Sequence, residues 1–341
     1  MKKNLLYVLF ALLLSVGLAA CGSSETDGGG EAADGGDDGA AAEGAADGYP
    51  ERDIEILVGH GAGGGTDNFA RQVAKQMEEI LGVNINVINQ EGASGAIAKE
   101  MGAKAPADGY TIVATSALPI QVATGINTNN ELNVYNALAR FQSDTYALQA
   151  KAGTFESIED FVAQAEANPG TIRIGGTGVG TMDQVVFTLL ERETGLDLEF
   201  VPFEGAGQMH AAVLGGHIEA MLEEIGPTIS SVEGGEIQPL IFFAEERIED
   251  FPEIPTSVEN GWDITNGVER GFLIRNEVPQ EIIDKLEQVA KEVYDSEEYQ
   301  QYEENSYLHL REGWLGSADY TEKLRNDIEV FTEILEGVEV E

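Results

Sequence analysis

The sequence predicts an α/β protein built as two similar units with a ligand cleft between them. Short apolar strands alternate with amphipathic helices over residues 54–115, and again over residues 172–244. A glycine-rich turn opens a helix in each run. An apolar, extended stretch over residues 137–149 carries the chain from one run to the other. At 341 residues there is length for about two domains, and a 43% hydrophobic share is enough for an ordinary core.

In the first run, Ile54–Val58 reads as a strand. Residues 66–81 form a helix whose Phe69, Val73, Met77 and Ile80 recur at three and four positions, so one face is buried. Gly82 ends it. Residues 83–88 alternate as a second strand, and Gly92-Ala93-Ser94-Gly95 turns into a short helix ending near Lys104, with Ser94 as its simplest cap. Pro106-Ala107-Asp108-Gly109 turns the chain into a third strand, residues 110–115. Strands joined by helices through such short connections imply a parallel sheet with right-handed crossovers. Ser116 and Ala117 then lie just past a strand's C-terminal end, where open α/β sheets hold ligands.

The second run starts with a helix over residues 157–167, with Ser157 as its N-cap and Asn168-Pro169-Gly170 as its stop. After a strand over 172–175, the turn Gly176-Thr177-Gly178-Val179-Gly180-Thr181 opens a helix over 182–193. A strand over 198–202, a helix over 208–214, a strand over 218–222, a short helix after Gly226-Pro227 and a strand over 237–244 follow. A strand over 271–275 and helices over 279–294 and 318–335 return to the style of the first unit. The expected domains are residues 49–141 with 248–341, and residues 142–247. Joined by crossing strands, two such units clamp a ligand between two helix N-termini and close about a hinge.

The N-terminus points to the compartment. Lys2 and Lys3 precede an apolar run over residues 5–14, and small residues lead to Cys21, the three parts of a secretory signal. The run is too short to span a membrane. Leu18-Ala19-Ala20-Cys21 resembles the bacterial lipobox, which implies cleavage before Cys21 and a lipid on its thiol. Cys21 is the chain's single cysteine, so it has no partner for an internal disulfide. Residues 22–48 are Gly, Ala, Asp and Glu with almost nothing to bury, and read as a disordered tether that holds the folded part off the membrane.

Asp and Glu number 61 against 19 Lys and Arg, a formal charge of −42. That argues against nucleic acid, whose phosphates need basic side chains, and against docking on anionic lipid by charge. It fits a surface kept hydrated in high salt or alkali.

The turn after the first strand, Gly59-His60-Gly61-Ala62-Gly63-Gly64, is an anion seat: glycines admit positive φ, and the following helix aims free N–H groups and its positive dipole end at the same spot. It formally matches a dinucleotide fingerprint with Glu91 as the ribose acid. Three points oppose that reading. Glu91 lies beyond the usual spacing of about 20 residues. Thr66-Asp67 brings a carboxylate to where a pyrophosphate would dock. An exported chain also has little free dinucleotide to use. A P-loop is absent, because no Gly-Lys-Ser/Thr occurs. His60, His210, His217 and His309 have no zinc spacing, and no Gly-x-Ser-x-Gly elbow is present, so neither a metal nor a cofactor is expected. His60 stands in the seat and either bonds a ligand or shapes the loop.

An ordered set of segments carries a family resemblance. Tyr49-Pro50-Glu51-Arg52, Gly63-Gly64-Gly65-Thr66-Asp67, Asn89-Gln90-Glu91-Gly92-Ala93-Ser94-Gly95, Lys104-Ala105-Pro106-Ala107-Asp108-Gly109-Tyr110, Val201-Pro202-Phe203-Glu204-Gly205 and Phe251-Pro252-Glu253-Ile254-Pro255-Thr256 come in this order. Together they resemble the extracytoplasmic receptors of tripartite tricarboxylate transporters, the Bug or TctC-like proteins, from Tyr49 to the C-terminus. The resemblance implies a periplasmic-binding-protein fold of the type II, Venus flytrap kind. It also implies a non-enzymatic receptor that hands a small carboxylated solute to one large and one small membrane subunit. By the same resemblance a ligand carboxylate is held by His60, Gly61, Ala62, Gly63, Gly64, Thr66 and Asp67 of one loop, facing Thr177, Gly178, Gly180, Thr181 and Asp183 of another. Phe203, Glu204 and Glu224 are added from the neighbouring strand ends. The chain departs from the family where His60-Gly61-Ala62 replaces an aromatic and a proline, and where Glu204 and Glu223-Glu224 add carboxylates. Those acids would repel a polyanion, so a ligand with one carboxylate and a cationic amine, or a small monoacid, is expected.

Overall fold

The computed structural model describes residues 48–92, 95–125, 133–203 and 205–336. The signal segment, Cys21, the tether up to residue 47, Ser94 and Glu204 lie outside the described residues. The chain runs β1 (Ile54–Val58), α1 (Gly65–Leu81), β2 (Ile85–Asn89), α2 (Ala96–Lys104), β3 (Thr111–Thr115), α3 (Leu118–Ala123) and β4 (Tyr135–Ser143). It continues through β5 (Tyr146–Lys151), α4 (Ile158–Ala167), β6 (Arg173–Gly176), α5 (Met182–Thr194), β7 (Glu199–Pro202), α6 (Ala206–Gly215), β8 (Ala220–Glu224), α7 (Ile225–Glu233) and β9 (Ile237–Phe242). It ends with β10 (Glu269–Arg275), α8 (Gln280–Tyr294), α9 (Glu297–Asn305), a 3-10 turn at Leu308–Leu310, β11 (Leu315–Gly316) and α10 (Ser317–Ile334).

Two sheets result, both within the compact unit Ala42–Glu341. The first has the order β11-β4-β10-β3-β1-β2 and the second β7-β6-β8-β5-β9. In β1, Ile54, Ile56 and Val58 face one core and Leu57 the other, as a strand covered by helices on both faces must. Phe69 of α1 is fully buried between Phe141 and Phe272, with ring centroids 5.7 and 4.8 Å away. Helix α8 lays Ile282, Ile283, Leu286, Val289, Ala290 and Val293 on the same core. The second sheet packs Val185, Val186, Leu189 and Leu190 of α5 against Leu148, Ile174, Ala220 and Leu222. Helix α10 belongs to both cores: Tyr320 and Leu324 pack under the first sheet, while Phe331 packs with the second.

The sheets are mixed, where short βα connections alone predict parallel ones. β1 pairs in parallel with β2 and β3, but β10 runs antiparallel to β3 and β4. β6 is parallel to β7 and β8, while β5 is antiparallel to β8 and β9. The stretch over 137–149 is two strands, β4 and β5, and each joins its own sheet. The break falls at Asp144-Thr145, where the Asp144 N–H donates to Val268 O of the returning chain at 2.8 Å. Gly267 makes that crossing possible, since a Cβ there would stand 1.8 Å from Asp144 O. Two further differences are α3, a short helix that begins directly after Ser116 and Ala117 and has no counterpart in the sequence reading, and α7, which begins at Ile225, ahead of Gly226-Pro227.

Candidate functional site

The C-terminal ends of β1, β3, β6, β7 and β8 carry every site residue that the sequence singles out among the described residues. Two of these ends have the same construction. After β1, Gly63 takes φ +80, and the Asp67 carboxylate, in the first turn of α1, accepts the Gly63 N–H at 2.8 Å. After β6, Gly178 and Gly180 take φ +86 and +65, and Asp183, in the first turn of α5, accepts from Thr177 N–H and from its hydroxyl. Each loop is folded back by an aspartate from the helix it opens.

Neither α1 nor α5 has a side-chain N-cap, so their first N–H groups stay at the helix ends beside the loops. Such an end is equivalent to about half a positive charge and suits a carboxylate. Ala62, Gly63 and Gly64 are exposed there, and Thr177, Gly178 and Thr181 half-buried.

Asp67 and Asp183 are almost fully buried, and their oxygens are used within the protein. Asp67 also receives Arg71 at 2.9 Å and Asn89 Nδ2 at 2.8 Å. Burial pushes its pKa up, but these bonds outweigh burial and hold it below the usual range. Asp183 accepts the Tyr146 hydroxyl at 2.5 Å, and burial raises its pKa. Both are loop-formers by geometry. The groups that gather at the first loop are His60, Thr66 and Ser116. Thr66 Oγ1 donates to Ser116 Oγ at 3.3 Å, and Ser116 Oγ lies 3.4 Å from His60 Nε2. Burial, with Lys99 and Arg270 nearby, lowers the His60 pKa to about 4, so its imidazole is neutral at pH 7. Ala117 stands at the N-cap of α3, and Phe203 turns its ring toward Gly175 and the α6 core.

Sequence reasoning finds no arginine here, and the structure supplies one. Arg270, on β10 of the first sheet, donates Nη2 to Glu224 Oε1 on β8 of the second at 2.8 Å, and Nη1 to Asp144. It also abuts the start of α1, since a Cβ on Gly65 would lie 2.6 Å from Nη2. Burial opposes ionisation of Glu224, but Arg270 overrides it and holds the pKa at about 2. Burial drives Asp144 up to about 7 despite Arg270, and burial with the Glu224 charge drives Glu223 well up. Glu223 is engaged besides, by His210 Nε2 at 3.1 Å and the Glu224 N–H at 3.2 Å. Glu223 and Glu224 are therefore paired or proton-bearing, while Glu204 lies outside the described residues. The share of polyanion repulsion expected from these two acids is relieved inside the fold. The one sequence signal for Arg270 is a lone cation at the start of an apolar strand, Glu269-Arg270-Gly271-Phe272.

A cavity of about 370 Å³ adjoins this region, bordered by Thr115 and Ser116 on one side and Met182 at the start of α5 on another. Among the described residues no cluster of His, Cys, Asp or Glu is arranged to hold a metal, and no helix is long and apolar enough to cross a membrane.

Two mixed sheets joined by crossing strands, each with a glycine loop and an uncapped helix end, have the architecture of a periplasmic-type solute receptor. The family model described as the tripartite tricarboxylate transporter family receptor, TctC, matches residues 69–330, and the chain belongs to this family, whose members are solute-binding receptors and not enzymes. Protein BugT of Bordetella pertussis is 28% identical over 229 residues, which is 66% of this chain and 70% of BugT. A TctC solute-binding protein from Polaromonas has 26% identity and a TM-score of 0.70, covering 85% of this chain and all of the other. An R. palustris protein, Rpa4515, solved with adipate, has 22% identity and a TM-score of 0.76 over 84% of this chain and 97% of its own.

Proposed function

We propose that the chain is a lipid-anchored extracytoplasmic receptor that closes on a small carboxylated solute and delivers it to a large and a small membrane subunit. The observation that carries this reading is the pair of uncapped helix ends, α1 and α5, each beside a loop folded by its own aspartate. One lobe comprises residues 49–141 with 248–341 and the other 142–247, and the ligand lies between them. A carboxylate takes the first-turn N–H groups of α1, at Gly65 and Thr66, on one side and those opening α5, at Thr181 and Met182, on the other, while the N–H groups of Gly63, Gly64, Gly178 and Gly180 hold the loops themselves. His60 and Ser116 add neutral hydrogen bonds. Asp67, Asp183 and Glu224 support these loops from behind. The adipate in the R. palustris neighbour supports the ligand class. The lipobox at Cys21 supports the anchor. Closure needs only that ligand bind the closed state better than the open one.

Calorimetric titration with small organic acids tests the reading. Binding of at least one carboxylate with Kd of about 10 μM or tighter is expected, with a smaller radius of gyration in the complex. Failure of every carboxylate to bind overturns it. For the anchor, Cys21→Ser is expected to move the protein from the membrane fraction to the soluble one.

A further inference from the structure

Behind the two helix ends lie more buried carboxyl groups than cations to serve them. Asp144 stands at the break between β4 and β5, Asp183 is in the first turn of α5, and Glu223 and Glu224 end β8. Arg270 gives Nη1 to Asp144 Oδ2 and Nη2 to Glu224 Oε1, so two carboxyls sit side by side on one guanidinium fork. Like charges so placed oppose each other's ionisation. The pair is not symmetric. Glu224 is held ionised by Arg270. Asp144 Oδ1 is buried without a hydrogen-bond donor among the described residues, a cost that is greatest for the ionised form.

The other groups around this pair do not make up the deficit. Arg311, past α9, donates to the main-chain carbonyls of Asp144 and Thr265. Glu269, beside Arg270 on β10, is taken by Arg140. Burial holds the phenols Tyr146 of β5 and Tyr299 and Tyr302 of α9 neutral. Burial, with the Glu224 charge, keeps the proton on Glu223, and burial keeps its partner His210, on α6, neutral. Asp183 is engaged by Thr177 and Tyr146. Arg270 also reaches the ligand seat, since a Cβ on Gly65, the first residue of α1, would lie 2.6 Å from Nη2. An anion at the Gly65 N–H brings a third negative charge to one guanidinium.

We infer that capture of the anionic solute is coupled to uptake of one proton from solvent, which converts the Asp144 carboxylate to the neutral acid and leaves Arg270 to Glu224 and the ligand. The inference rests on the proposed receptor function and adds a pH control to its site. Burial already lifts Asp144 from 3.8 to about 7 against the pull of Arg270, and a bound anion lifts it further. Affinity therefore falls as pH rises above about 7 and levels off in acid, where the proton is present before the ligand arrives.

The test is calorimetric titration of the full protein with acetate, succinate, adipate and benzoate, acids that are ionised at neutral pH. Each titration is run in HEPES and in Tris, whose ionisation enthalpies differ, so that the difference in heat counts protons. Acids that bind are expected to bring about half a proton or more at about pH 7.5 and almost none at about pH 5.5. Their affinity should drop several-fold, and at most about tenfold per pH unit, above neutrality. Asp144→Asn imitates the protonated form, so it should abolish the uptake and make affinity independent of pH. Equal heats in both buffers throughout overturn the coupling while the receptor function stands, and wild type alone decides this. Uptake that survives in Asp144→Asn, or that is lost in His210→Gln instead, overturns the assignment to Asp144. Urea unfolding supplies a reading without ligand: Asp144→Asn should gain stability relative to wild type as pH rises through 7, and parallel profiles overturn the titration of Asp144. Absence of binding by all four acids removes the receptor reading, and the coupling with it.

Discussion

At the scale of single residues, the site depends on side chains that satisfy the protein's own backbone and charges. Asp67 and Asp183 show this most directly, each a buried carboxylate drawing a glycine-rich loop onto a helix start. Hydrogen bonds to charged groups contribute about 1.5–3 kcal/mol. Asp67→Ala is therefore expected to cost about 2 kcal/mol in urea unfolding and to weaken carboxylate binding at least tenfold by releasing the loop. Unchanged affinity in a folded variant would show that the loop keeps its shape without it. Arg270 is the larger stake. Removing one member of a buried ion pair costs about 3–5 kcal/mol, because the partners remain buried and charged. Arg270→Gln leaves Asp144 and Glu224 buried without their shared cation. Glu224 has a depressed pKa, about 2 against an ordinary 4.5, so it contributes stability above pH 4.5 that is lost as pH falls toward 2. In Arg270→Gln that contribution disappears and the orphaned acids take up protons. The gap between variant and wild type should then be widest at neutral pH and narrow below pH 4.5. A gap independent of pH would mean that Arg270 acts by packing alone.

At the scale of elements, legibility in the sequence followed from how local each element's cause is. Helices α1 and α8 carry apolar stripes, and strands β1 to β3 carry apolar runs between turns, so their own residues announce them. The glycine turns are legible for the same reason, since φ +80 at Gly63 needs a glycine in that sequence slot. Arg270 is not legible, because its partners lie 126 and 46 residues away. Nor is the break at Asp144-Thr145, which exists only because a distant strand pairs there. Helix α9 is the clearest miss. Glu297–Asn305 reads EEYQQYEEN, with no apolar stripe, and only Tyr299 and Glu303 are buried. Its causes are the Ser296 cap, which accepts the Tyr299 N–H at 3.1 Å, and the packing of Tyr299 on Phe141 and Tyr294. That location gives Glu303 an unusual pKa: burial, then Glu312, raises it from 4.5 to about 7. A raised carboxyl pKa means the folded state holds the proton more tightly. Stability is present below pH 4.5 and is lost as pH rises through 7. Glu303→Gln mimics the protonated form, so it should match wild type at acid pH and be more stable above pH 7, by on the order of 1 kcal/mol. Thermal unfolding across that range checks it, and parallel pH profiles for the two proteins would remove Glu303 from the account.

At the scale of the whole molecule, the formal charge of −42 and the anionic ligand pull against each other. Self-repulsion among surface carboxylates opposes folding, and it is screened over about 10 Å at 0.1 M salt and about 3 Å at 1 M. The ion pairs that link the sheets, Arg270 with Asp144 and Glu224, are buried and feel that screening little. Exposed pairs such as Lys75 with Glu298 contribute little, so their loss in salt is minor. The melting temperature should therefore rise with added sodium chloride. Ligand capture should follow the same direction. A dicarboxylate approaching so acidic a surface is repelled at long range, while the attraction of the α1 and α5 ends acts within about one helical turn. Screening removes the first and spares the second. The association rate constant for a dicarboxylate is thus expected to increase with salt, opposite to receptors steered by a basic cleft, and to do so more steeply than for a monoacid of equal length. Stopped-flow measurement from low to molar salt decides the matter. A rate that falls as salt is added would mean that Lys99, Arg270 and Arg311 project a positive field beyond the cleft mouth, and that the global charge does not govern encounter.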